Sequence, residues 1–310
     1  MDSLETRRLL DLMRTATLLI VSTTVIAQAQ STKPKSADSQ SKNTPLTDIL
    51  IGEATGYSIQ LTDTSKTKLK LEPTPLLRWV NPVRNRQFGL VYVWTHQGRA
   101  RAVGSVFNNY VSETRMWTVH EFHSLATSGL RATNKENGDV WHPAGAGVEW
   151  KPLPDAPPPG KTKTRRLLQM KRLGREFRGH SIGSQKSRYE LRLLPKPLFQ
   201  YQTAKDDIYD GAVFSMVSTA GTDPEILLTF EVRKTTDGPK WHYAVARFSD
   251  LKLFLDHKGK RVWEFTYPDG TIGYQYKVDA AQPYRLVDNR IFTPTEISQL
   301  LAAEKAPKTP

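Results

Sequence analysis

The chain has no cysteine. That excludes disulfides, thiolate metal sites, a cysteine nucleophile and a lipid-bearing N-terminal cysteine. It has no run of 18 apolar residues, which excludes a polytopic helical membrane protein. Acidic side chains are in short supply, with 31 Asp and Glu against 44 Lys and Arg, a formal net charge of +13. What is present suffices for a folded molecule. The 310 residues are 38% hydrophobic and 9% aromatic, enough to bury a core in one large domain or two modest ones, and too apolar for a wholly disordered chain.

Residues 1–29 read as a secretory signal peptide. Arg7, Arg8 and Arg14 supply the positive region, Thr15 to Ile26 a short apolar run, and Ala27-Gln28-Ala29 the small-residue cleavage site. The mature chain is then expected to begin near Gln30, exported to the periplasm or cell surface. Arg7-Arg8 hints at twin-arginine export, but Asp11 fits that motif badly. Residues 30–46 are Ser, Lys, Thr and Pro with little to bury and read as a flexible tether. Residues 305–310 read as a frayed tail.

A repeat at an offset of 122 residues organises the rest. Leu69-Lys70-Leu71-Glu72-Pro73-Thr74-Pro75-Leu76 matches Leu191-Arg192-Leu193-Leu194-Pro195-Lys196-Pro197-Leu198, and Trp79 matches Tyr201. Gly89-Leu90-Val91-Tyr92 matches Gly211-Ala212-Val213-Phe214; with slow drift Gly98 matches Gly221, and Trp117 matches Trp241. The expectation is an internal duplication. Each copy reads as an antiparallel meander: Phe88 to Thr95, Arg101 to Phe107 and Met116 to Leu125, then Ala212 to Ser218, Glu225 to Arg233 and Trp241 to Phe248, separated by turn formers such as Gln97-Gly98 and Asp237-Gly238. The Pro-x-Pro pairs belong to a sheet edge or a bend. Leu167, Met170, Leu173, Gly174 and Phe177 form an apolar stripe on a helix over 162–177, and residues 46–54 suit a shorter helix ahead of the first copy.

The fold class read from this pattern is α+β, with two duplicated units, each a helix packed on an antiparallel meander sheet of about four to five strands. The expected divisions are a first unit over 47–153, a Pro-rich linker over 154–160, a second unit over 161–258, and a C-terminal hairpin and helix over 259–304. Tyr267-Pro268-Asp269-Gly270 marks that hairpin. Thr293, Pro294 and Glu296 form the start of the last helix as a capping box.

The densest set of catalytic residue types is His120-Glu121-Phe122-His123. It is not a zinc-protease signature, which needs histidines four apart on a helix. On a strand, Glu121 and His123 share a face while His120 points away. That pair is the candidate catalytic or metal-ligating pair, with His142 as a guess for a third ligand; the metal itself is unknown. The aligned second-copy segment, Ala244 to Arg247, lacks these groups. The bland alternative is two part-buried residues bonded within the sheet.

Lys161, Lys163, Arg165, Arg166, Lys171, Arg172, Arg175 and Arg178 crowd the 161–178 segment against one acid, Glu176. Arg165, Arg166, Lys171, Arg172 and Arg175 are candidates for binding an anionic envelope polymer, a membrane surface or an envelope protein. The alternative is a solvated helix face. Nucleic acid is not an expected partner, because export removes the chain from that pool and no recognised module is present. Trp79, Trp94, Trp117 and Trp241 lie inside strands and read as core, whereas Trp141 and Trp150, in a Gly/Pro-rich segment, are freer to line a groove. Ser124 and Ser249 lack a nucleophile elbow. Gly145-Ala146-Gly147 lacks the strand and helix of a dinucleotide loop, and no cofactor is expected.

Asn81-Pro82, Trp94-Thr95, His120 to Leu125, Arg166 to Met170, Leu191 to Pro195 with Pro197-Leu198, Asp210-Gly211-Ala212 and Gly221 to Glu225 together resemble a group of exported proteins from planctomycete bacteria. The resemblance covers residues 70–255 and implies export, but no activity. The reading is an exported, non-catalytic binding or structural module of the cell envelope; the alternative is a metal-dependent or acid/base hydrolase using the 120–123 segment.

Overall fold

The computed structural model describes residues 44–63, 66–183, 186–203, 207–267 and 279–305. The export signal and nearly all of the tether lie outside these residues, as do the Pro268-Asp269-Gly270 turn and most of the tail.

The chain opens with α1 (Pro45–Thr55), followed by β1 (Tyr57–Leu61), β2 (Lys70–Leu71), β3 (Leu77–Asn81), β4 (Gln87–His96), β5 (Arg99–Ser112), β6 (Arg115–Ser124), β7 (Leu130–Asn134) and β8 (Gly138–Trp141). After β9 (Lys151–Pro152) comes α2 (Lys163–Gly174), then β10 (Phe177–Ile182), β11 (Arg188–Leu193), β12 (Phe199–Thr203), β13 (Ile208–Ser218), β14 (Pro224–Thr235), β15 (Gly238–Arg247), β16 (Lys252–His257) and β17 (Lys260–Phe265). β18 (Tyr284–Ile291) and α3 (Pro294–Lys305) close it. The result is an α+β fold in which every strand pair among the described residues is antiparallel.

One sheet runs β18-β6-β5-β4-β2 with β3 also on β4; a second runs β17-β16-β10-β11-β13-β14-β15-β9 with β12 also on β13; β1, β7 and β8 form a third. Backbone bonds from Leu69 to Ile59 and from Leu61 to Thr67 join β1 to the segment before β2. The sheets are larger than the expected four or five strands. The added strands are short and polar on one face, such as Leu130-Arg131-Ala132-Thr133-Asn134, and present no dense apolar run.

The strands read as continuous apolar runs because both faces of each large sheet are covered. Leu90, Tyr92 and Trp94 of β4 face outward into a core shared with α1 and α3. Val91 and Val93 face inward, where they meet Val213 of β13, Leu227 of β14 and Ala244 of β15. On the far side, Ala212, Phe214, Leu228 and Phe230 pack under Met170 and Leu173 of α2. The layers are therefore helices, sheet, sheet, helix, and the two halves share one inner core.

Two polar clamps cross that interface. Arg99 of β5 donates from Nε and Nη2 to the two carboxylate oxygens of the fully buried Glu231 at 2.8 and 3.1 Å, and the Tyr201 hydroxyl and Arg233 Nε donate to the same carboxylate, each at 2.7 Å. Asn81 and Arg84 reach Asp223, and Arg84 also reaches Glu225. Breaking such a buried pair by removing one partner is strongly destabilising.

Several expectations change. The helix over 162–177 ends at Gly174, and Phe177 instead opens β10, stacked on His257 of β16. Leu46 is buried within α1, capped by Thr44. The 154–160 stretch is tied down: the Pro157 carbonyl accepts from the Trp241 indole, and Gln169 of α2 bonds both Pro158 and Gly160. Among the described residues β18 pairs with β6 in the first sheet, and Phe292, Ile297 and Leu300 enter the core of that half. The capping box forms as expected, with the Thr293 amide donating to Glu296 at 2.8 Å and the Glu296 amide donating back to the Thr293 hydroxyl at 3.3 Å.

Candidate functional site

β6 places the His120–His123 segment as an extended strand between β5 and β18. His120 faces outward, with the Tyr57 hydroxyl 2.6 Å from Nδ1 and Glu53 2.8 Å from Nε2. Thr118 donates to the other Glu53 oxygen. This cluster pins α1 to the sheet.

Glu121 and His123 share the opposite face, each 6% exposed, but no hydrogen bond joins them among the described residues. Glu121 is partnered by Tyr284 of β18, whose hydroxyl donates at 2.6 Å. Burial pushes the Glu121 carboxyl up to about 8, against the lowering effect of that bond. The group is therefore a neutral acid at neutral pH. His123 Nε2 donates to the Gly147 carbonyl at 3.1 Å, and its Nδ1 is sealed from solvent without a partner. Burial drops the imidazole to about 4, the Gly147 carbonyl opposing and the Arg247 charge assisting. His123 is thus neutral as well.

Beside His123 lies a cavity of about 260 Å³ where the ends of β6 and β15 meet β17 and the 282–284 segment. Its walls include Tyr243, Val245, Val262, Trp263, Phe265 and Tyr284. The buried charged group among the lining residues is Arg247, which is 4% exposed. The guanidinium sits between the rings of Phe265 and Tyr284, 3.7 and 3.9 Å from their centroids. Nε donates to the Ser249 carbonyl at 2.7 Å and Nη2 to the Tyr267 hydroxyl at 2.9 Å. Both partners are neutral. Among the described residues Arg247 has no carboxylate partner, and Nη1 has no hydrogen-bond partner. At the rim, Lys151 is matched by Glu149 at 3.3 Å.

The structure brings together only part of the expected set. His142 is exposed, and among the described residues no group of three His, Asp or Glu side chains is placed to hold a metal ion. Trp141 does not line a groove; it is fully buried and stacked on Phe122. Trp150 packs against the guanidinium of Arg233, 4.0 Å from its centroid. Ser124 and Ser249 each accept from the amide two residues on, in Ala126 and Leu251. On α2, Arg166 is already committed to Asp210 and to the Gly160 and Lys161 carbonyls. Lys171 is half-buried, while Arg165, Arg172 and Arg175 are exposed. Arg247, Tyr284 and Trp263 were not singled out in the sequence. The one available signal was a charged residue closing the apolar alternation of β15.

No family model matches the chain, and no curated protein or solved structure matches it.

Proposed function

We propose that this chain is an exported, non-catalytic binding module of a bacterial cell envelope and that the cavity beside Arg247 is its ligand site. The observation that carries the reading is a buried guanidinium whose hydrogen-bond partners among the described residues are neutral, lining an aromatic cavity. A desolvated charge of this kind is costly unless something pairs with it, and an apolar cavity with one convergent polar group is the usual form of a small-molecule site. Against the acid/base alternative stand the sealed Nδ1 of His123 and the separation of Glu121, which is bonded to Tyr284 and does not line the cavity. The test is methyl NMR of the folded protein with a set of small apolar acids and neutral analogues. Shifts at Val245 and Val262, with the compounds recovered unchanged, support binding without turnover. Chemical conversion supports the hydrolase reading, and an unresponsive cavity removes it as the site.

Export rests on the Arg7 to Ala29 signal and on the resemblance to exported planctomycete proteins. Mass spectrometry of the secreted protein should find Gln30 at or near its start. Retention of Met1 in a cytoplasmic product would overturn it. The exposed Arg165, Arg172 and Arg175 are the proposed contact with an anionic polymer or surface, with Arg166 and Lys171 in lesser roles than the sequence suggested.

The two halves are further read as an internal duplication. In support, α1 through β8 and α2 through β17 follow one order of pairing. Trp79 lies opposite Gly89, and Tyr201 opposite Gly211, in matching ladders. The Trp117–Trp241 match does not hold. Counted along the ladders from those glycines, Trp241 corresponds to Thr118, and the two indoles face different cores.

A further inference from the structure

We infer that the ligand of the Arg247 cavity is a compact aromatic monocarboxylate, an inference that rests on the reading of the cavity as a binding site. Charge comes first. Lys151 at the rim is balanced by Glu149, and His123 and Glu121 are neutral at neutral pH for the reasons given above. Among the described residues that line the cavity, Arg247 therefore contributes the one unbalanced charge, Asp250 acting on Glu121 and Tyr284 from outside the lining, and the complementary ligand carries a single negative charge. A phosphate dianion would bring a second charge with no cation to meet it. Geometry comes next. Nε and Nη2 are engaged and Nη1 is not, so Nη1 is left to meet one anionic oxygen in a charge-assisted hydrogen bond.

Shape completes the case. The cavity is about 260 Å³, larger than the roughly 150 Å³ that accommodates benzene in an engineered core. Tyr243, Trp263, Phe265 and Tyr284 give it aromatic walls, which favour a flat ring that can stack or meet ring edges. The rings of Phe265 and Tyr284 that sandwich the guanidinium also hold it in one plane, so its orientation is set before a ligand arrives and little ordering entropy remains to oppose binding.

The experiment is calorimetric titration at neutral pH with 2-naphthoate, 2-naphthamide and phenyl phosphate, the Val245 and Val262 methyl signals serving as a check of location. The expected result is that 2-naphthoate binds at least tenfold more tightly than the other two and that R247M abolishes the preference for the acid over the amide. If R247M does not fold, the acid-to-amide comparison on the unaltered protein decides the matter. Equal affinity for acid and amide would leave the cavity as a binding site and overturn the carboxylate. Tighter binding of phenyl phosphate would overturn it too. Failure of all three to bind or to shift the cavity valines would take down the inference together with the reading beneath it.

Discussion

Glu121 and His123 are tied to stability by opposite slopes, and the balance between them can be measured. The Glu121 carboxyl moves from an ordinary 4.5 to about 8 in the folded protein. Between those values the folded state holds a proton that the unfolded state has released, so stability falls as pH rises, by about 1.4 kcal/mol per pH unit. His123 moves from 6.5 down to about 4. Between those values the unfolded state holds the extra proton, and stability rises with pH at the same slope. From pH 4.5 to 6.5 the two contributions cancel. From pH 6.5 to 8 only the Glu121 term remains, a loss of roughly 2 kcal/mol. Glu121→Gln keeps an acceptor for the Tyr284 hydroxyl and cannot ionise. Urea unfolding of both proteins from pH 5 to 8 should therefore show the variant gaining on its parent by roughly 2 kcal/mol across the upper window. Comparing the two removes the contributions of Asp210, Asp223 and Glu225, whose carboxyls burial also raises. Parallel curves for variant and parent would refute the reasoning.

Three further outcomes are expected. A Cβ at Gly211 would fall inside contact distance of the Tyr201 ring, and one at Gly89 inside that of the Trp79 indole; G211A and G89A should each lose about 1–3 kcal/mol by denaturant titration, and an unchanged midpoint would show that those rings shift freely. Glu231→Ala takes the anionic partner from the buried Arg99 and from Arg233 and should cost about 3–5 kcal/mol, measured in the same way; a near-neutral result would mean that the clamp adds little to stability. Reversing Arg165, Arg172 and Arg175 to Glu should abolish salt-sensitive retention on an anionic matrix while leaving the thermal midpoint unchanged, whereas Arg166→Glu should lower the midpoint through loss of Asp210; retention unaffected by the triple reversal would assign that face to solvent.

The legible part of the fold was the part encoded locally. Strands β4 to β6 and β13 to β15 carry dense β-branched and aromatic runs with Gly-containing turns between them, and Gln97-Gly98 takes the left-handed conformation that a tight hairpin needs, with φ 51° and 80°. The capping box at Thr293 is likewise a statement about four consecutive residues. The illegible part was long-range. Nothing in Tyr284 to Ile291 indicates a partner more than 160 residues earlier in β6, so a strand that crosses back to the first sheet read as local. The helix over 162–177 ran three residues too far because Phe177 continues the apolar stripe, although its ring is claimed by β10 against His257 and Tyr243. Trp141 sits among glycines and prolines that suggest an open loop, but β8 pairs with β7 and carries that indole into the core.

The candidate site divides along the same line. Strand periodicity alone put Glu121 and His123 on one face, since side chains two apart on a strand lie roughly 7 Å apart on the same side. Their relation as a pair did not follow, because each found a partner outside β6: Glu121 in Tyr284, and His123 in the Gly147 carbonyl. The charge that gives the cavity its character comes from β15, its cation–π partners from β17 and β18, and its neutral acceptors from the 249–267 segment. No spacing rule connects such residues, because their proximity is produced by sheet packing and by the return of the chain to β6. On the proposed reading, the functional weight moves from a sequence cluster rich in catalytic residue types to a single arginine on β15, in the other large sheet. The cluster's acid and base are both buried in their neutral forms. The arginine cannot shed its charge, and on that reading it is this permanent charge that the cavity would offer to a ligand.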